Sequence, residues 1–96
     1  MARKVIWSHE ATADLKALAE YIARDSSSYA AVFVQEILDA SRALNKFSER
    51  GRTVPELSNH SIRELLIREY RLIYCVKESQ IIVLGLIHGK RDLKSL

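Results

Sequence analysis

The sequence predicts a single α+β domain in which a helical hairpin packs on one face of a twisted antiparallel sheet, with the element order β-α-α-β-β-β. Three observations lead to this prediction. The chain has 96 residues, a length typical of one domain, which spans residues 1–96. Its first half carries apolar residues at helical spacing. Its second half carries three short runs of β-branched, aromatic and aliphatic residues separated by polar turns.

The first half begins with a short β-branched and aromatic segment, Lys4–Trp7, which predicts a strand. Ser8 follows as a preferred helix N-cap. A row of apolar residues at i, i+4, i+7 and i+11 then predicts the buried face of a helix; these residues are Ala11, Leu15, Leu18 and Ile22. Residues 25–28, Asp-Ser-Ser-Ser, end this helix and offer caps for the next one.

A second helix is predicted over residues 29–47. Its apolar face consists of Phe33, Ile37, Ala40 and Leu44. The short link between the helices favours an antiparallel hairpin. Residues 48–61 then form a long connection, and loops of this length in a small domain tend to be functional or mobile.

Three strands are predicted to close the domain, over Ile62–Ile67, Tyr70–Val76 and residues 81–87. The short segments between them, residues 68–69 and 77–80, predict turns and therefore an antiparallel meander. The last strand is apolar on both faces, which predicts a central position in the sheet.

Side chains along these strands alternate between the two faces of the sheet. On the middle strand, Leu72 and Tyr74 therefore face one way, while Arg71 and Ile73 face the other. We expect the helices to cover one face, which leaves the opposite face free to be concave and functional. Residues 88–96, His-Gly-Lys-Arg-Asp-Leu-Lys-Ser-Leu, form a basic tail.

The net charge of +3 is unevenly distributed. Residues 1–49 contain 6 basic and 7 acidic residues, whereas residues 50–96 contain 9 basic and 5 acidic ones. A basic C-terminal half favours an anionic partner, either a nucleic acid or an acidic protein segment. Ordinary solvated lysines and arginines would give the same charge.

Composition argues against several classes of function. The single cysteine, Cys75, cannot form an internal disulfide, and no cysteines and histidines have the spacing of a zinc site. No glycine-rich phosphate loop is present, and we expect no metal or other cofactor. The N-terminal apolar run is too short for a signal peptide, and residues 81–87 are too few to span a membrane. We therefore expect a cytoplasmic protein with no membrane partner.

The residues that could carry chemistry are Arg71, His88 and Arg91, with Arg63 and Glu56 as secondary candidates. Antiparallel pairing predicts that Arg71 lies close to His88 and Arg91, with Arg63 about 15–20 Å away along its strand. Guanidinium groups bind phosphate oxygens bidentately and can stabilise a phosphorane. A histidine transfers protons near neutrality, and Glu56 on the long loop is the best spare carboxylate for a base. Such a site could cut RNA without a metal, because RNA brings its own 2′-hydroxyl nucleophile. The simpler interpretation is a set of solvated side chains.

Short motifs are spread over nearly the whole chain. Near the start they are Trp7, Ala-Asp-Leu at 13–15 and Tyr-Ile-Ala at 21–23. In the middle they are Gly-Arg-Thr-Val-Pro-Glu-Leu at 51–57 and Ile-Arg-Glu-Leu at 62–65. The last are Tyr-Arg-Leu-Ile-Tyr at 70–74 and His-Gly-Lys-Arg-Asp-Leu at 88–93. In their joint order and spacing these motifs resemble the RelE/ParE superfamily of toxins, and ParE-like members most.

The resemblance implies the toxin of a type II toxin–antitoxin system, held inactive by a cognate antitoxin. The antitoxin's C-terminal segment would wrap the toxin and its N-terminal part would bind operator DNA, so the toxin would reach that DNA only through its antitoxin. RelE-like members of the superfamily cut mRNA in the ribosomal A site, whereas ParE-like members inhibit DNA gyrase.

Carried over by residue, Arg71 matches an arginine that RelE-like nucleases use on the scissile phosphate, and Arg91 matches another. His88 matches a histidine of some RelE-like relatives, and Arg63 falls near a basic residue of the corresponding strand. Leu65 stands where RelE itself tends to have a second basic residue, and the tail has no tyrosine where several nucleases carry one. We therefore expect gyrase inhibition, with ribosome-dependent, metal-independent mRNA cleavage as the alternative.

Overall fold

The helices and strands follow the predicted order, with one short strand added. The computed structural model describes residues 2–91, so residues 92–96 of the predicted basic tail lie outside the described part. The elements are β1 (Lys4–Trp7), α1 (His9–Ala23), α2 (Ser27–Ala43), β2 (Arg52–Thr53), β3 (Ile62–Ile67), β4 (Tyr70–Val76) and β5 (Gln80–His88). The α+β class and the helical hairpin are confirmed.

Both helices begin at serine caps, as predicted. Ser8 Oγ accepts a hydrogen bond from the Ala11 N–H at 3.0 Å, and Ser26 Oγ accepts one from the Tyr29 N–H at 3.1 Å. Helix α2 ends four residues before the predicted end. The N–H groups of residues 44–46 donate to carbonyls three residues earlier, so the last turn tightens and leaves the α-helical pattern. Within residues 2–91, no helix is long and apolar enough to cross a bilayer.

The sheet is mixed rather than purely antiparallel. Its strand order is β1-β5-β4-β3-β2, and β5 holds the predicted interior position. The β3–β4 and β4–β5 pairs form the predicted meander, but β1 runs parallel to β5. The apolar pattern that predicts β1 does not indicate the direction of this strand relative to its neighbour. The path of the chain through the helical hairpin sets that direction. Strand β2 lies within the predicted loop and pairs with β3.

The helices cover one face of the sheet. They contribute Ala11, Phe33 and Ile37 to the core, together with Leu44, the C-cap of α2. The sheet contributes Ile67, Leu72, Tyr74, Ile81, Val83 and Leu86. Because side chains alternate, Arg71 and Ile73 project from the opposite face, which we call the open face.

The buried hydroxyl of Tyr74 anchors the start of the long loop. It donates a hydrogen bond to the Ser48 carbonyl and accepts one from the Gly51 N–H, both at 2.9 Å. A Cβ atom at Gly51 would clash with the Glu64 carbonyl oxygen and the Tyr74 hydroxyl, so this close approach requires glycine. Burial raises the pKa of Tyr74 above its ordinary value.

Replacing Tyr74 with Phe is expected to lower the free energy of unfolding by about 1–3 kcal/mol, because a buried N–H and a buried carbonyl lose their partner. Urea denaturation at neutral pH measures the change. The matched control is Tyr29→Phe, at a residue that is 41% exposed, with an expected change below about 0.5 kcal/mol. Equal losses in the two variants would show that the Tyr74 hydroxyl bonds contribute nothing.

The wild type and Tyr74→Phe should also differ in how their stability changes at alkaline pH. Since the folded-state pKa of Tyr74 is raised, its stabilising contribution is complete below the unfolded value of about 10 and is lost as the pH rises through the raised value. The gap in unfolding free energy between the wild type and Tyr74→Phe should therefore narrow above pH about 10. A difference in unfolding free energy that stays constant with pH would show that the pKa of Tyr74 is not raised in the folded state.

Candidate functional site

The open face carries a cluster of two arginines and two glutamates, which we call the Arg71 network. Arg71 at the start of β4 pairs with Leu66, and Glu64 on β3 pairs with Ile73, so the two charged side chains are diagonal neighbours on one face. Strand β2 places Arg52 opposite Glu64. The long loop then returns to bring Glu56 over the same face.

Every nitrogen of the Arg71 guanidinium group donates a hydrogen bond. Nη1 and Nη2 bind the two carboxylate oxygens of Glu56 at 2.8 and 2.7 Å, in a bidentate pair. Nε binds Glu64 Oε1 at 2.7 Å, and Nη1 also donates to the Arg91 carbonyl at 2.8 Å. Arg52 Nε binds the second oxygen of Glu64 at 2.6 Å.

This network is largely removed from solvent. The side chain of Glu64 is 0% exposed, that of Arg71 is 5% exposed and that of Glu56 is 17% exposed. Hydrogen bonds to Glu56, and then to Glu64, raise the pKa of Arg71 further above its already high value. Arg52, the fourth member, is 62% exposed. Two carboxylates and two guanidinium groups leave the network with no formal net charge. Such a cluster is stable only while each member keeps its partners.

The structure places Arg71 and His88 on opposite faces of the sheet. Arg71 pairs with Ile87, whereas His88 pairs with Tyr70, and the Tyr70 and His88 rings are 5.7 Å apart. Arg91 does reach Arg71, but through its backbone carbonyl. The expected grouping of Arg71, His88 and Arg91 side chains is therefore divided, and their catalytic role remains a prediction.

Arg63 also lies apart from Arg71. It pairs with Tyr74, so its side chain shares the face that the helices cover, at the other end of β3. Its Nη1 donates to the Gly51 carbonyl at 2.7 Å, and its Nη2 lies 3.6 Å from the carboxylate of Glu49. Glu56, predicted as a spare base, is engaged by Arg71.

His88 and Arg91 share a cleft of about 450 Å³ between α1 and the adjacent ends of β4 and β5. Its other lining residues are Asp14, Ala17, Leu18, Tyr21, Tyr70, Leu86 and Ile87. Tyr21 is 65% exposed at its rim. Within residues 2–91, no group of His, Cys, Asp and Glu side chains is placed to hold a metal ion.

The open face also carries an apolar groove of about 330 Å³. It is lined by Asp14, Leu57, Ile62, Ile73, Leu84, Gly85 and Ile87. Three large apolar side chains of this part of the molecule are well exposed, namely Leu57 at 37%, Leu66 at 55% and Leu84 at 38%. An uncovered apolar surface of this kind is typical of a protein-binding site.

Glu64 is a member of the network that was not predicted from the sequence. The signal that could have found it is an acidic residue in β3 on the face where the neighbouring strand carries Arg71. A charged residue at such a position is buried only when it is paired.

A sequence model of the family described as "ParE toxin of type II toxin-antitoxin system, parDE" matches residues 5–93. Among solved structures, the chain is similar to one described as the chromosomal ParDE TA system from P. aeruginosa, with a TM-score of 0.77 and 22% identity over 93% of this chain and 98% of that one. It is also similar to the toxin–antitoxin complex RelBE2 from Mycobacterium tuberculosis, with a TM-score of 0.67 and 16% identity over 92% and 99% of the two chains. No curated protein matches the chain in sequence. The structural similarities establish the fold.

Replacing Glu64 with Gln is expected to lower the free energy of unfolding by about 3–5 kcal/mol, because Arg71 loses its fully buried counter-charge. Thermal and urea denaturation measure the change. The matched control is Asp39→Asn, whose carboxylate is 62% exposed and pairs with Arg42 on the surface of α2. That change should cost less than about 1 kcal/mol. If Glu64→Gln were as mild as the control, the network would not stabilise the open face.

Proposed function

Because the chain belongs to the ParE toxin family of type II toxin–antitoxin systems, we propose that it inhibits DNA gyrase by binding it and is neutralised by a cognate antitoxin. We favour inhibition by binding over RNA cleavage because Glu56 and Glu64 already bind the guanidinium group of Arg71. Gyrase and the ribosome are both cytoplasmic, so we propose that the protein acts in the cytoplasm.

RNA cleavage needs a guanidinium group positioned on the scissile phosphate. To reach a phosphate, Arg71 would have to leave two carboxylates, one of which is fully buried. Uncompensated charges of this kind cost several kcal/mol. A nuclease would also need the proton-transfer group on the same side as the arginine, whereas His88 shares a face with Tyr70. Inhibition by binding requires neither change.

The surface we propose for the gyrase contact is the cleft beside α1 together with the segment that follows β5. Tyr21 is exposed at the rim, and His88, Lys90 and Arg91 are exposed at its basic end. Tyrosine and arginine carry a large share of the binding energy in protein interfaces. The cations of this surface are not engaged by the Arg71 network, which uses only the carbonyl of Arg91.

The antitoxin would occupy the apolar groove of the open face. An amphipathic segment binds such a groove by burying apolar anchors against Leu57, Leu84 and their neighbours. The two similar solved structures are described as toxin–antitoxin systems, which supports a protein partner of this class. Binding would also stabilise the toxin through mass action, since the partner binds only the folded chain.

The alternative is ribosome-dependent mRNA cleavage by Arg71, His88 and Arg91. The observation in its favour is that His88 and Arg91 line one solvent-open cleft. This mechanism requires Arg71 to exchange its carboxylates for the phosphate when the ribosome and mRNA bind.

The purified chain is expected to inhibit supercoiling by purified gyrase in a concentration-dependent manner, and its antitoxin should reverse the effect. Induced expression should stop growth without producing codon-linked cuts, which primer extension on cellular RNA detects. Codon-linked cuts combined with an unaffected supercoiling reaction would refute the proposal and establish the alternative.

The contact surface is tested by Arg91→Ala and His88→Ala. Each should lower the potency in the supercoiling assay by about tenfold or more if it removes an interface contact worth over about 1.4 kcal/mol. The matched control is Arg42→Ala, whose side chain is 69% exposed on α2 and outside the cleft. If both cleft variants keep the potency of the control, the proposed surface is wrong.

A further inference from the structure

We infer that the end of β3 opposite the Arg71 network binds a single strand of nucleic acid, through a phosphate pocket at Arg3 and Arg63 and a stacking contact on Phe47. This strand-binding surface shares no side chain with the cleft or the groove described above. The inference therefore does not depend on which target the toxin inhibits.

A polar pocket of about 360 Å³ lies where β1, the long loop and the start of β3 meet. Its polar lining residues are Arg3, Ser48, Glu49, His60, Ser61 and Arg63. Two guanidinium groups, an imidazole and two hydroxyl groups are the donors that bind phosphate oxygens in proteins.

Backbone and hydroxyl oxygens hold both guanidinium groups in place. Arg3 Nε donates to the Lys77 carbonyl and Arg3 Nη1 to Ser48 Oγ, both at 2.8 Å. Arg63 Nη1 donates to the Gly51 carbonyl at 2.7 Å. These uncharged acceptors orient the side chains but do not neutralise them. Arg71 differs in this respect, since its charge is balanced by two carboxylates.

Glu49 is the one carboxylate among the residues that line this pocket. It is 81% exposed and lies 3.6 Å from Arg63 Nη2. An ion pair of this length whose carboxylate is exposed is weak, so a better ligand can displace the carboxylate. The position of its oxygen marks where an anionic oxygen of a ligand would sit.

An exposed aromatic ring adjoins the pocket. Phe47 is 61% exposed and lines a second hollow with Lys46 and Arg50. Ser48 and Glu49 line both cavities, so the two are adjacent. A ring flanked by cations next to a phosphate pocket is the arrangement with which proteins bind single strands, because bases stack on the ring while the backbone follows the cations.

This combination favours a nucleic-acid strand over an acidic protein segment. An acidic peptide would satisfy the cations but would leave the Phe47 ring without a partner of its own. A duplex would present phosphates, but its bases are already stacked on one another. A single strand supplies both phosphates and free base faces.

Fluorescence anisotropy with a labelled single-stranded 12-nucleotide oligonucleotide, as DNA and as RNA, tests the inference on the full-length chain at several salt concentrations. Phe47→Ala should weaken binding about fivefold or more with an unchanged salt dependence, since stacking releases no counterions. The double variant Arg3→Gln, Arg63→Gln should weaken binding and reduce the slope of log K against log salt by about 0.7 for each phosphate that the variant no longer binds.

Two controls and one further variant complete the design. Arg24→Gln and Val32→Ala remove an exposed cation and an exposed apolar side chain elsewhere, and should leave binding unchanged. If the Arg3 and Arg63 double variant fails to fold, Lys46→Gln with Arg50→Gln tests the charge without touching the Gly51 carbonyl contact.

Two results would overturn the inference. One is equal binding by the wild type, the charge variants and Phe47→Ala. The other is a labelled glutamate-rich peptide that binds the wild type more tightly than either oligonucleotide.

Discussion

The open face depends on a buried guanidinium group held between two carboxylates. Removing these charges from water is unfavourable, and only a full set of mutual hydrogen bonds compensates for it. Arg71 obtains its partners from three separate parts of the chain, namely Glu64 on β3, Glu56 on the long loop and the carbonyl of Arg91 after β5. The network therefore closes only when the strands are in register and the loop has returned, so it couples local structure to the complete fold.

The same network determines where positive charge is available for binding. Arg71 and Arg52 are balanced by Glu56 and Glu64, so the middle of the open face presents apolar surface with little net charge. Cations that no buried carboxylate balances remain at the two ends of the sheet. One group follows β5, and the other surrounds the start of β3. A protein partner with an apolar segment suits the middle of the open face, whereas anionic partners suit the ends.

The sequence predicted β3 and β4 to the residue, because alternation and short polar turns define both ends. It could not predict that a bulge between Ile73 and Tyr74 shifts the pairing of β4 with β5 by one residue. Val76 pairs with Ile81, and continued without a bulge this register would place His88 on the face of Arg71. The bulge moves His88 to the other face, since a shift of one residue reverses every side chain beyond it. The sequence therefore predicted the correct strands for Arg71 and His88, but it could not predict that the two side chains lie on opposite faces of the sheet.

The length of the loop between α2 and β3 predicts that the loop has a function, but it does not predict which function. Its length predicted a role, and Glu56 within it was considered as a base. In the structure two side-chain anchors hold the loop, the hydroxyl of Tyr74 at Ser48 and Gly51 and the guanidinium group of Arg71 at Glu56. Between these anchors, β2 pairs with β3. Residues from the start of the loop, Ser48 and Glu49, and from its end, His60 and Ser61, line one pocket with Arg63. Since the anchors lie on opposite faces of the sheet, the loop must cross its edge. Because the loop crosses the edge, its residues border both the apolar groove of the open face and the polar pocket at Arg3 and Arg63.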